Sequence, residues 1–303
     1  MNASSLLDLR PLSIAELFDR SFRLYRNNFV TFLGIVVLTQ LPLVLFQIAL
    51  AALADTSADL NRTLFMDQLV GTAAVASIIA AILSLIFTQV GAAALTKAIS
   101  DSYLGRQINF WDAFQRIGGT WFTLIFATIV AGLVLVGLAI PIALLANIPC
   151  IGFIIGIVGF IYLFAVGSIL ISLIPPVVVL EKGGVINSIK RAWTIGKLRF
   201  WWVFGYLILL GLLSLLIIEG PTALLLVLFE TALGNTNIVL QTIVQQSAGL
   251  VLTAVFLPIR LAAITLMYFD LRIRFEGFDL MVLASADDEF TVDVSDLTTK
   301  TTL

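Results

Sequence analysis

Histidine is absent from this chain, and cysteine occurs once, at Cys150. Without an imidazole there is no Ser-His-Asp triad, no His-based acid/base pair and almost none of the common zinc or haem ligand sets. A lone cysteine excludes an internal disulfide and a cysteine-based metal cluster. In the turn "ANIPCIG" it reads as a small buried apolar side chain. Charge is scarce as well. Only 12% of the 303 residues are charged, about half the share found in a water-soluble domain. No basic face stands apart for nucleic acid. Carboxylates are missing from the middle of every long apolar run, Glu219 and Glu230 lying near run ends, so the usual intramembrane proton relay is excluded. The pairs Gly118-Gly119 and Gly183-Gly184 belong to no phosphate-loop or dinucleotide fingerprint. The chain offers no catalytic group, no metal set and no cofactor motif, and reads as non-enzymatic.

What it has in abundance is apolar surface. Sixty per cent of the residues are hydrophobic, and mean hydropathy is +1.09. A helix needs about 20 apolar residues to cross a bilayer core. Six stretches meet that length, near 29–53, 70–99, 121–146, 151–174, 200–218 and 243–269. The expected fold is all-α, a polytopic membrane protein with six transmembrane helices. The first long run starts at Phe29 behind a polar stretch, the pattern of an uncleaved signal anchor. "PTALLLVLFETAL", from Pro221, is too short to span and either extends the fifth helix or lies along the outer surface. Gly152 with Gly156, and Ala73 with Ser77 and Ala81, form small-residue stripes that let helix backbones approach closely. Pro42, Pro141 and Pro258 fall inside spans, where kinks are tolerated if neighbours satisfy the freed carbonyls.

The basic residues are sided. Of the seventeen lysines and arginines, all but Arg62 and Arg260 fall before the first span, between the second and third, between the fourth and fifth, or after the sixth. The positive-inside rule places that side, with both termini, in the cytoplasm. The end of the chain, 281–303, carries Asp287, Asp288, Glu289, Asp293 and Asp296 against Lys300 and is expected to be an acidic, disordered cytoplasmic tail. The membrane domain is then 1–280.

Three segments on the basic side share the pattern apolar-x-x-x-apolar-x-Arg just before an outward span. They are "SIAELFDRSF" with Ile14, Phe18 and Arg20, "NFWDAFQRIG" with Phe110, Phe114 and Arg116, and "GVINSIKRAW" with Val185, Ile189 and Arg191. Apolar residues four apart share a helical face. Ser13 with Glu16, and Asn109 with Asp112, have the spacing of N-terminal capping pairs. Each segment is expected to be a short interfacial helix, apolar face toward lipid and arginine at phosphate level. The chain then reads as a threefold repeat of interfacial helix, span, span, with units at about 13–99, 109–180 and 184–276.

The last apolar run closes with "MYFDLRIRFEGFDL". On a continuing helix, Asp270 with Arg274 and Arg272 with Glu276 are i,i+4 neighbours, and Gly277 suits the C-cap. Arg272 and Arg274 join Arg20, Arg116 and Arg191 as candidate contacts for lipid phosphate or another anion. Arg260 stands well inside the sixth span, where a charge is expensive and usually faces the bundle interior. A bond to Gln89 of the second span, or to carbonyls freed by Pro258, is expected for it. That bond would be an interhelical fastener or part of an anion site.

"RPLSIAELFDRSFRLYRNNF", "LEKGGVINSIKRAW" and "YFDLRIRFEGFDL" together resemble the bacterial glycerophosphoryl diester phosphodiesterase membrane domain family, over about 10–280. The resemblance implies a multi-pass membrane module of the bacterial cell (inner) membrane. It does not imply hydrolysis, because the catalytic domain of that family uses histidines and metal-binding acids that this chain lacks. The expected function is a non-enzymatic module associating with phospholipid or other envelope proteins, with no nucleic-acid partner. A transporter of a small or lipid-like solute is the alternative, and a membrane-embedded lipid enzyme a third reading. With Cys150 changed to Ser, cysteines introduced near Arg23, Gly105 and Gly183 should be shielded from an impermeant thiol reagent in intact cells. Those near Asp59 and Gly234 should be labelled, and the reverse pattern would invert the topology.

Overall fold

The computed structural model describes residues 12–60, 66–106, 108–148, 152–233 and 238–277. All regular structure among them is helical: α1 (Ile14–Asn27), α2 (Phe29–Leu60), α3 (Met66–Tyr103), α4 (Phe110–Gln115), α5 (Thr120–Ala146), α6 (Gly152–Glu181), α7 (Val185–Gly196), α8 (Phe200–Ser214), α9 (Gly220–Leu233) and α10 (Ile238–Glu276). Among the described residues, six helical stretches are long and apolar enough to cross a membrane. The protein is a multi-pass membrane protein. The acidic segment 281–303 and Cys150 lie outside the described residues.

The 221–233 segment resolves to the first of its two expected forms. A π-helical turn, Leu215–Glu219, joins α8 to α9, so the fifth span runs on as one interrupted rod. α10 has 39 residues, about 58 Å at 1.5 Å per residue, nearly twice a bilayer core. Its charged end projects toward the short helices α1, α4 and α7, which all precede outgoing spans. We call this the basic end of the bundle, and the opposite end the far end.

Packing differs between the two ends. At the basic end, alanines on three spans (Ala93, Ala94 and Ala98, then Ala127 and Ala131, then Ala262 and Ala263) are fully buried among Phe32, Leu173, Tyr206 and Tyr268. Small side chains bring backbones close, which supplies the dispersion contacts that lipid cannot replace. Toward the far end the spans part. Val134, Val136 and Ile140 of α5, and Phe153, Val158 and Phe164 of α6, are exposed. There α5 and α6 hold chiefly to each other through glycine. A Cβ on Gly152 would lie 2.6 Å from the Leu145 carbonyl oxygen, and one on Gly156 2.7 Å from the Ala146 Cβ. The second expected stripe does not pack: Ser77 and Ala81 are exposed, and Ala73 lies outside the described side chains.

The short helices dock: the apolar pairs expected to face lipid, Ile14 with Phe18, Phe110 with Phe114 and Val185 with Ile189, pack instead against the buried core of the bundle. α1 carries the expected capping box, with Glu16 N–H donating to Ser13 Oγ and Ser13 N–H to Glu16 Oε2. It buries Leu17, Ser21 and Tyr25 against the spans and leaves Phe22 exposed. At α4 the expected cap is absent, because Asn109 Nδ2 donates to Asp112 Oδ2 instead of the side chain capping the backbone. Gly156→Leu should separate α5 from α6 and cost about 1–3 kcal/mol by overpacking, read as a lower detergent melting temperature. Gly137→Ala, with open space around its Cβ, should show no loss.

Candidate functional site

Most of the arginines expected to meet lipid phosphate already have carboxylate partners. At the basic end, five side chains from three helices close a ring. Arg191 of α7 donates from Nε to both Glu181 oxygens at 3.0 and 2.9 Å. Its Nη2 reaches Glu276 Oε2 at 2.6 Å. Arg272 Nε donates to the same Glu276 oxygen at 3.0 Å, and its Nη1 to Tyr268 Oη at 3.3 Å. Tyr268 then donates to Glu181 Oε1 at 2.7 Å, which completes the circuit. Two positive and two negative groups cancel, half-buried, where charge-assisted bonds are stronger than at an open surface.

A second clamp joins the two ends of the described chain. Asp270, 1% exposed, accepts from Leu12 N–H at 2.7 Å and from Arg274 Nε at 2.8 Å. Arg274 Nη2 donates to the Leu12 carbonyl at 2.8 Å. Both expected i,i+4 pairs of the terminal motif are formed, and Gly277 takes the left-handed conformation at φ 61°. A third cluster surrounds Asp101 near the end of α3, with Lys97 Nζ at 3.0 Å and Arg106 and Arg116 Nη1 each at 3.5 Å. Arg116 also meets Asp112 at 3.5 Å. Arg20 is half-buried on α1 and also has a partner.

The far end holds a different site, which sequence reading did not single out. A cavity of about 250 Å³ lies between α2, the π turn with α9, and α10. Gln40 and Gln47 of α2, Glu219 of the π turn, and Gln245, Gln246 and Thr253 of α10 line it. Gln246 Nε2 donates to Gln47 Oε1 across the helices. Polar side chains within an apolar bundle are expensive, so their convergence on one cavity makes it a candidate binding site. The signal was in the spacing: Gln40 and Gln47, like Gln246 and Thr253, are seven residues apart and share a helical face.

Arg260 belongs to this stripe. It follows Gln246, Gly249 and Thr253 at helical spacing, about 10 Å beyond Thr253 toward the basic end. The fastener expected for it is not formed. Arg260 is exposed, and among the described residues neither it nor Gln89 makes a hydrogen bond or ion pair. The neighbouring positions Ile259 and Leu261 are buried, so the opening is confined to the face on which Arg260 stands. Its stem leans toward the helix N-terminus, that is, toward the cavity.

Among the described residues, no group of three or more histidines, cysteines, aspartates and glutamates is placed to hold a metal. Comparison of the chain with protein-family models, curated proteins and solved structures finds no match. Asp270→Ala strips the Leu12 N–H and Arg274 of their acceptor and should cost about 1–3 kcal/mol, measured as a fall in detergent melting temperature. Adding Arg274→Ala should recover part of the loss. An unchanged single variant would mean the clamp contributes nothing to stability.

Proposed function

We propose that the protein is a non-enzymatic module of the bacterial cell membrane that binds phospholipid, its far-end cavity receiving a hydrogen-bonding headgroup. Both termini are cytoplasmic in this reading, the cavity lies in the outer half of the membrane, and the fold is the membrane region of the glycerophosphoryl diester phosphodiesterase membrane domain family. The threefold repeat belongs to the same proposal. It is supported by two equivalent contacts, in which Arg116 and Arg191 each reach an acid near the end of the preceding span, Asp101 and Glu181.

The observation that carries the reading is the cavity's amide lining beside apolar exposed surface. Gln40, Gln47, Gln245 and Gln246 offer both donors and acceptors. Leu215, Leu216, Leu224 and Leu228, on the π turn and α9 beside the cavity, are exposed large apolar side chains. A polar pocket next to an apolar wall suits an amphiphile. The net charge of the lining is low, so hydrogen bonding rather than Coulomb attraction selects the occupant.

A second reading, transport of a small or lipid-like solute, is favoured by one observation. The exposed Arg260 extends the polar stripe from the cavity toward the basic end, the direction a solute would have to travel. Native mass spectrometry of protein released from mild detergent should show a retained phospholipid or polar small molecule, lost in Gln246→Leu. A wild-type protein that carries neither would sink the binding proposal. In proteoliposomes, flux of inorganic phosphate or a short-chain phospholipid, abolished in Arg260→Leu, would select transport; no flux would retire it.

A further inference from the structure

Helix α7 starts at Gly184 in extended backbone, φ −68° and ψ 163°, and no side chain caps its first turn. The N–H groups of Val185, Ile186 and Asn187 therefore have no acceptor within the helix. Ser188 is the first residue whose N–H bonds back, to the Gly184 carbonyl at 2.9 Å. An uncapped helix start attracts anions through those N–H groups and the helix dipole, yet most helices share that property. Ser188 sets this one apart. It is 1% exposed, and its Oγ has no hydrogen-bond partner in the structure. Buried hydroxyls are nearly always paired, so an unpaired one beside a cavity asks for a ligand.

That cavity exists. Ser188 lines a space of about 190 Å³ together with Glu181, Gly183, Asn187 and Arg191. A Cβ on Gly183 would stand 3.2 Å from Ser188 Oγ, so glycine leaves the buried hydroxyl uncrowded on that side. Lys182 turns the chain with φ 49°, a left-handed conformation rare for a side-chain-bearing residue. The turn brings the end of α6 and the start of α7 to the same space. Glu181 is the one acid there, and its charge is matched by Arg191 Nε and the Tyr268 hydroxyl. Arg191 Nη1 makes no bond among the described residues. The free donors at this cavity, Arg191 Nη1, the Ser188 hydroxyl and the first-turn N–H groups, suit an anion with several acceptor oxygens.

We propose that the α7 N-terminus, Ser188 and Arg191 form a phosphate-binding site at the basic end of the bundle, separate from the far-end cavity. Oxygens of the phosphate accept from the first-turn N–H groups, from the Ser188 hydroxyl and from Arg191 Nη1. The same chemistry fits free inorganic phosphate and the phosphate of an anionic lipid headgroup. Because the far-end cavity contributes nothing to it, this site stands or falls independently of the function proposed above.

The test uses the full chain in mild detergent. Inorganic phosphate should raise the melting temperature above that in sodium chloride of equal ionic strength if free phosphate is the occupant. If a headgroup is the occupant, the protein should respond to phosphatidylglycerol but not to phosphatidylcholine, and not to inorganic phosphate. Ser188→Ala should weaken whichever response occurs by about tenfold, the loss of one hydrogen bond to a charged group. Its melting temperature without ligand should be unchanged or higher, since an unpaired buried hydroxyl has been removed. Gly184→Asp provides the second arm. Its Cβ has open space, and its carboxylate would cap the same N–H groups, which should raise unliganded stability and abolish the response. No response of the wild type to either probe overturns the site. So does a response that both variants retain in full.

Discussion

A charged side chain at the edge of an apolar bundle must be hydrated or matched, and at the basic end of this protein it is matched. The ring formed by Glu181, Arg191, Glu276, Arg272 and Tyr268 joins α6, α7 and α10 through five side chains that each touch two others. Remove any one member and its two neighbours are left half-buried with unmet charge or unmet hydrogen bonds, the expensive outcome. The positions of the short helices follow from this requirement. α7 lies where Arg191 can reach two acids, α4 where Arg116 can reach Asp101, and α1 where Leu12 can meet Asp270 and Arg274. Hydrophobic association has little to offer between helices surrounded by lipid, so electrostatic matching and close small-residue packing share the work of assembly.

The far end obeys a different rule. Its spans carry bulky, branched residues on faces with no neighbouring helix, and the π turn between α8 and α9 interrupts the fifth span beside the cavity. π-helical turns insert a residue into the regular ladder and are common at functional positions. Here the turn presents Glu219 toward the glutamines of α2 and α10. A bundle tight at one end and parted at the other thus carries two kinds of polar site. One is charge-matched and locked; the other is lined by amides with a single carboxylate, Glu219, and is open.

The spans were legible because an unbroken run of about twenty apolar residues matches the thickness of a bilayer core. The terminal i,i+4 pairs were legible because helical spacing is a local property. The ring was not. Glu181 and Arg191 lie on either side of a turn, and Glu276 is 85 residues from Arg191, a separation no periodicity reveals. The arginines were therefore assigned to lipid phosphate, while Asp101 and Glu181, which match Arg116 and Arg191, were not singled out. The cavity was missed for a related reason. Each glutamine reads singly as a tolerated polar residue in an apolar run, and only the crossing of α2 over α10 brings Gln47 to Gln246. Arg260 was read as an interior fastener bonded to Gln89, but it stands on an exposed face of α10, although α3 and α10 pack against each other elsewhere along their length.

The Leu12 clamp also sets an order in time. Leu12 and Asp270 are 258 residues apart, and a ribosome adding about 5–20 residues per second needs on the order of 10–50 s to make the stretch between them. Throughout that interval α1 has been synthesised but its docking partner has not. Its amphipathic surface, with Phe18 and Phe22 on one side and Arg20, Arg23 and Arg26 in its length, is suited to waiting on the lipid surface. α1, made early among the described helices, is thus among the last of them to be fastened, and the emergence of Asp270 and Arg274 supplies its clamp.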